Sequence, residues 1–218
     1  MRADQQPTLM NMLRVLVLLS AFLLSITLAS AAPLTILVLG DSLTAGLGLD
    51  PADAFPVKLE AALKASGHDV IIVNGGVSGD TAADGLARLD WALTADVKAV
   101  IVELGANDAL RGLPPAQAEK ALDDILVKLA QRGLPVLIAG MRAPPNLGRD
   151  YAALFDPIFG RLAEKHGALL YPFFLDGVAA NPELNQPDGL HPNPKGVGIV
   201  VSHILPKVEE LIGKAVAK

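Results

Sequence analysis

Cysteine is absent from the 218-residue chain. That excludes disulfides, thiolate metal ligands and a cysteine nucleophile, and it leaves cysteine usage silent about the compartment. Runs of basic residues are also absent, and the formal net charge is −5. A phosphate-tracking surface is therefore not expected, nor is nucleic acid as a partner. Nucleotide signatures are missing: the glycine-rich stretch NGGVSGDT (74–81) has no G-K-[ST] ending and no G-x-G-x-x-G pattern. Neither linker nor internal repeat nor low-complexity segment divides the chain.

Apolar side chains, by contrast, make up 51% of the residues, enough for one sizeable core and too many for a disordered chain. Val15 to Ala29 reads VLVLLSAFLLSITLA, 15 residues without a charge, with Arg14 before it and Ala29-Ser30-Ala31 at its end. A membrane-spanning helix needs about 20 apolar residues. The layout therefore predicts a secretory signal over 1–31, cleaved after Ala31. It also predicts no stable membrane insertion after cleavage and a periplasmic or secreted product. The residues before Met12 are unlike the usual start of such a signal, so Met12 is an alternative first residue. With no Cys behind the small residues, a lipid anchor is excluded. Cleavage leaves 16 basic and 22 acidic side chains.

Five short runs read as strands: TILVLG (35–40), VIIVNG (70–75), AVIVELG (99–105), PVLIAG (135–140) and ALLYP (168–172). Their apolarity is continuous rather than alternating, which suggests strands buried on both faces of a parallel sheet. Helical spacing falls between them, over 56–66, 81–93, 116–131, 150–166 and 194–212. Asn193 can cap the last helix, with Pro194 at its first position. The alternation predicts one three-layer α/β/α domain with a five-stranded parallel sheet, spanning 32–218. No long exposed apolar segment suggests an interface, so a monomer is expected.

Open α/β sheets bind ligands outside the carboxyl ends of their strands, so the loops after each run hold the candidates. GDSLTAG (40–46) presents Ser42, which fits either a helix N-cap or a nucleophile raised on a tight turn. In NGGVSGDT, Gly75, Gly76 and Gly79 allow backbone N–H groups to face a ligand. ELGANDAL (103–110) offers Asn107, either a turn residue or a neutral side-chain donor, with Asp108 and Glu103 as structural acids. DGLHPN (188–193) sets Asp188 three residues before His191, close enough for the carboxylate to fix the imidazole tautomer. His68, His166 and His203 lack such partners and are expected to be structural.

Combined, these loops supply an acyl-transfer site. Ser42 is the nucleophile, His191 its base and Asp188 the orienting acid. The N–H groups of Ser42 and Gly79 and the Asn107 amide would hold the oxyanion. No metal or cofactor is required. The same four blocks, GDSLTAG, VSGDT, GAND and DGLH, resemble in order those of the SGNH (GDSL) hydrolase superfamily. LVLGDSLTAGLG, SGDT followed by GLARL, VELGANDALRGLPP and MRAPPNLGRDY resemble its bacterial periplasmic thioesterase I, lysophospholipase and arylesterase group. The resemblance implies a flavodoxin-like sheet and hydrolysis of acyl esters and thioesters. It also implies an acyl-contacting segment at 141–148 that moves on binding. Asp41, Leu47, Leu110 and Arg142 are the substrate contacts it implies, along with Pro144, Pro145, Asn146 and Leu190. Carbohydrate O-deacetylation on the same blocks is the alternative substrate class. A non-catalytic binding module would have lost Ser42, Asn107 or His191, and none is lost.

Overall fold

The computed structural model describes residues 32–217; the expected signal over 1–31 lies outside the described residues. Five strands form one sheet: β1 (Leu34–Gly40), β2 (Val70–Gly76), β3 (Val97–Glu103), β4 (Val136–Ala139) and β5 (Leu169–Tyr171). Every pairing is parallel and the order is β2-β1-β3-β4-β5. Leu37 pairs with Val73 on one side and Val100 on the other. The chain thus steps outward from β1 to β2, then crosses back over β1 to β3. That reversal opens a crevice at the carboxyl ends of β1 and its neighbours, where ligands of such sheets bind.

Central strands carry the core, as their unbroken apolarity predicts. Ile36–Leu39 and Ala99–Val102 are buried throughout. Strand β2 departs from that expectation. It is an edge strand: Val70 and Ile72 are buried, but Ile71 is exposed and Val73 only half-buried. Continuous apolarity alone does not separate an edge strand from a central one.

Helices cover both faces. One group is α2 (Phe55–Ala65) with α8 (Pro194–Val216); the other is α3 (Ala82–Ala92), α5 (Pro115–Gln131) and α7 (Ile158–His166). Short helices α1 (Ser42–Ala45) and α4 (Ala106–Leu110) follow β1 and β3 directly. The single helix expected over 150–166 is two, α6 (Gly148–Phe155) and α7, parted at Asp156-Pro157. Proline there has no N–H to continue the ladder. The break frees Asp156 to accept the Ala143 N–H at 2.8 Å, tying down the 141–148 segment. Helix α8 runs four residues past its expected end, with Pro206 in its interior. Its cap is as expected: the Asn193 side chain accepts the Lys195 and Gly196 N–H groups. Buried Val200, Ile204, Val208 and Leu211 hold its inner stripe against the sheet, which outweighs the missing hydrogen bond.

Among the described residues, no helix is long and apolar enough to cross a membrane.

Candidate active site

Strand β1 ends at Gly40, where any side chain would collide with Thr44 and Glu103. The chain then turns at once into α1. The cap of that helix is Asp41, whose carboxylate accepts the Leu43 N–H at 3.0 Å. The capping position is thus taken by the neighbour of Ser42, and Ser42 stands at the first helical position. Its N–H is among the donors that a helix start leaves unpaired within the helix. Gly46, in the left-handed region at φ 82°, ends α1 after one turn.

The Ser42 hydroxyl meets His191 Nε2 at 2.8 Å. On the far side of the ring, His191 Nδ1 lies 2.6 Å from Asp188 Oδ2. Carboxylates accept only, so Nδ1 carries the proton and Nε2 is left to accept from Ser42. Asp188 Oδ1 accepts the N–H groups of Leu190 (2.9 Å) and His191 (3.0 Å). Those backbone bonds, His191 first, and the ring hold the Asp188 carboxyl down to about 2. The turn is fastened to the nucleophile loop by Gln186, whose amide donates to the Leu47 carbonyl at 2.8 Å and the Pro192 carbonyl at 3.0 Å. Nothing in the spacing of the DGLH block points to Gln186.

The loop after β2 divides its glycines between two jobs. Gly75 and Gly76 do not border the cavity, contrary to expectation. Their missing side chains let β2 pack against Val38 and α1; a Cβ on Gly76 would meet the Ala45 nitrogen at 2.3 Å. Gly79 alone reaches the cavity, at φ 91°. Its carbonyl accepts Arg111 Nη2 at 2.6 Å. Thr81 and Asp84 then form a reciprocal cap that starts α3. Asp108 supports the same start, accepting the Ala82 N–H at 2.8 Å, which is the structural part expected of it.

Asn107, on α4, donates Nδ2 to Asp41 Oδ2 at 3.0 Å and to the Asp80 carbonyl at 2.9 Å. Asp41 borders the cavity but is fully buried, and both its carboxylate oxygens are turned to Leu43 and Asn107. Burial pushes its carboxyl up to about 6. Beneath it Glu103 is wholly buried, accepting from the Thr44 hydroxyl (2.6 Å) and the Asp41 N–H (3.3 Å). Desolvation, then the Asp41 charge, raises its carboxyl well above the usual range.

The cavity above these groups has a volume of about 630 Å³. Of the residues implied as substrate contacts, Leu47, Leu110, Arg142, Pro144, Pro145 and Leu190 line it and Asn146 does not. Phe173, Leu175 and Ala180 add a wall from the long loop after β5, which carries no periodic pattern to reveal it. Arg142 stacks over the Phe173 ring, 4.8 Å from its centroid. The three remaining histidines do have acidic neighbours: His166 with Asp123 at 2.6 Å, His68 with Glu209 at 3.7 Å and His203 with Asp176 at 4.0 Å. None of them borders this cavity.

Residues 38–199 match the family described as GDSL-like Lipase/Acylhydrolase. The chain is 43% identical to the arylesterase of Vibrio mimicus over 187 residues, covering 84% of this chain and 92% of the relative. It is 36% identical to thioesterase 1/protease 1/lysophospholipase L1 of Escherichia coli K12 over 192 residues, 88% of this chain and 91% of that protein. The crystal structure of AlinE4, an SGNH-hydrolase family esterase, superposes with a TM-score of 0.71 at 47% identity, covering 84% of this chain and 98% of AlinE4. With its fold, its four sequence blocks and these relatives in agreement, the chain belongs to the GDSL-like lipase/acylhydrolase family.

Proposed function

We propose that the protein is a serine hydrolase that cleaves carboxylic esters and acyl thioesters through an acyl-enzyme on Ser42. The observation that carries this is the unbroken line from Ser42 Oγ through His191 to Asp188, at 2.8 and 2.6 Å. A free serine hydroxyl is too weak a nucleophile without such a base. His191 Nε2 takes the hydroxyl proton as Ser42 attacks the carbonyl, and returns it to the leaving alcohol or thiol. Asp188 stabilises the imidazolium between those steps. The same nitrogen then takes a proton from water, which attacks the acyl-enzyme, and returns that proton to Ser42 Oγ as the ester bond to the serine breaks and the acid leaves. The N–H groups of Ser42 and Gly79 and the Asn107 amide receive the negative charge on the carbonyl oxygen.

The apolar cavity wall supports an acyl chain as the bound group over a polyhydroxylated sugar, and so favours the esterase reading over carbohydrate O-deacetylation. The test is labelling by a fluorophosphonate together with hydrolysis of p-nitrophenyl and acyl-coenzyme A esters. One equivalent of label, lost in Ser42→Ala along with turnover of both substrates, is expected. Near-normal turnover by pure, folded Ser42→Ala would overturn the assignment.

We also propose that residues 1–31 are an export signal and that the mature chain, 32–218, acts in the periplasm or outside the cell as a monomer. The Arg14–Ala31 layout supports it. An intact mass of the exported protein beginning at Ala32, and a monomeric mass by light scattering, are the expected results.

A further inference from the structure

Arg88 lies on α3, outside the cavity lining, in the GLARL stretch that the proposed chemistry leaves without a role. Its Nε donates to Asp80 Oδ2 at 2.6 Å, and its Nη2 donates to the Gly40 carbonyl at 2.9 Å. The Arg88 and Asp80 side chains are 18% and 12% exposed. Gly40 is the last residue of β1, immediately before Asp41 and Ser42. The same Gly40 carbonyl accepts the Val77 N–H at 3.0 Å, and the Asp80 N–H donates back to the Val77 carbonyl at 3.1 Å. Asp80's own carbonyl is the one that receives Asn107 Nδ2. One guanidinium therefore joins the root of the nucleophile turn to the loop that carries Gly79 and buttresses Asn107.

We propose that Arg88 is a positioning residue for the oxyanion-binding donors, acting through Asp80 and Gly40 to fix Gly79 and Asn107 relative to Ser42. This rests on the serine-hydrolase reading above. The arrangement needs a planar fork with two N–H groups aimed at different acceptors. A lysine ammonium is a single point on a flexible stem and does not reproduce it. Groups that bind the transition state lose most when displaced by a fraction of an ångström, because they are of use only where the charge develops. Without the fork, loop 77–80 is tied to β1 only by the Val77 bond, and the Asp80 carboxylate is left without its partner. Neither Arg88 nor Asp80 lines the apolar cavity itself.

The experiment compares Arg88→Lys, Arg88→Gln and Asp80→Asn with wild type, Asn107→Ala and the Arg88→Gln/Asn107→Ala double variant. Rates are normalised to serine titrated by fluorophosphonate, so a partly unfolded preparation does not count as a slow one. The readouts are kcat, KM and affinity for a boronic acid that forms a tetrahedral adduct with the serine. Expected is a kcat loss of about 10-fold or more with KM within about threefold, and a parallel loss of boronate affinity. Arg88→Lys should not restore it. In the Asn107→Ala background the Arg88→Gln loss should shrink well below its value alone, because residues acting as a unit are not additive. Unchanged kcat per titrated serine, a rise in KM alone, or full additivity with Asn107→Ala would overturn the proposal. If the Arg88 variants do not fold, Asp80→Asn carries the same expectations from the other end of the pair. Failure of wild type to take up the fluorophosphonate would instead sink the serine-hydrolase reading itself.

Discussion

Asn107 Nδ2 stands 3.0 Å from the buried Oδ2 of Asp41, so the amide that borders the cavity is already held by a carboxylate. Its second hydrogen goes to the Asp80 carbonyl. An oxyanion must draw on one of these hydrogens. A full negative charge competes for it far better than a neutral carbonyl does, which is the condition for favouring the transition state over the substrate. Asn107→Ala should therefore cost about 3 kcal/mol of transition-state stabilisation, roughly 100-fold or more in kcat, with KM little changed. Steady-state rates on a p-nitrophenyl ester test this, and a loss under about threefold would remove Asn107 from the hole.

What the sequence showed and what it hid follow from the range of the interactions. The central strands and the Asp188–His191 pair lay open because each is local: a run of apolar residues, or two residues three apart in one turn. Ser42, 149 residues from His191, came into view only through the four sequence blocks taken together. Arg88, Gln186 and Glu103 serve the site across 48, 139 and 59 residues of chain, reaching Gly40, Leu47 and Thr44. No spacing rule reports such partners. The misreading of Gly75 and Gly76 has the same origin. Gly76 admits the close approach of α1 and Gly75 that of β1 at Leu37 and Val38, distances set by the fold rather than by the loop.

Asp188 does two things that a substitution can separate. It accepts two backbone N–H groups that shape the turn, and it orients His191. Asp188→Asn keeps an oxygen for the turn but offers Nδ1 a group that permits the wrong tautomer. It should lose roughly 10²–10⁴-fold in kcat and keep its melting temperature. Asp188→Ala should lose both. The carboxyl is held below its unfolded value, so its stabilising contribution is present above pH 3.8 and is lost as pH falls toward about 2. Half-exposed, it contributes little, below about 1 kcal/mol. Melting curves of the two variants at pH 7, beside their rates, check the separation; equal melting losses would mean that the amide does not hold the turn.

Glu103 and Asp41 make the opposite contribution. Burial raises both carboxyls above their unfolded values. At these two groups the folded chain therefore holds more protons than the unfolded chain from about pH 4 upward, and their contribution to stability falls as pH rises through that window. For Asp41 the window runs from 3.8 to about 6; for Glu103 it starts at 4.5 and extends well above. Glu103→Gln removes the Glu103 share while keeping an acceptor for the Thr44 hydroxyl. The stability of Glu103→Gln minus that of wild type should therefore rise between pH 4 and pH 8. Urea unfolding at several pH values measures it, and a difference that does not change with pH would mean that the Glu103 carboxyl titrates alike in both states.

The cavity wall makes a prediction about chain length. Leu110 and Leu190 stand half-exposed at the cavity, with Pro144, Pro145 and Phe173 along it. Each methylene that leaves water against such a surface contributes about 0.8 kcal/mol. Across p-nitrophenyl esters from C2 to C16, kcat/KM should climb from acetate to a medium or long acyl chain and then level off where the wall ends. Leu110→Asn should flatten that climb, with a loss of about 10-fold on an octanoyl ester and a much smaller one on acetate. The slope, rather than the absolute rate, is the diagnostic quantity, because it reports contact with the chain and is blind to the chemistry at Ser42. Activity confined to acetate would mean that the wall does not bind substrate, and would move the assignment to deacetylation.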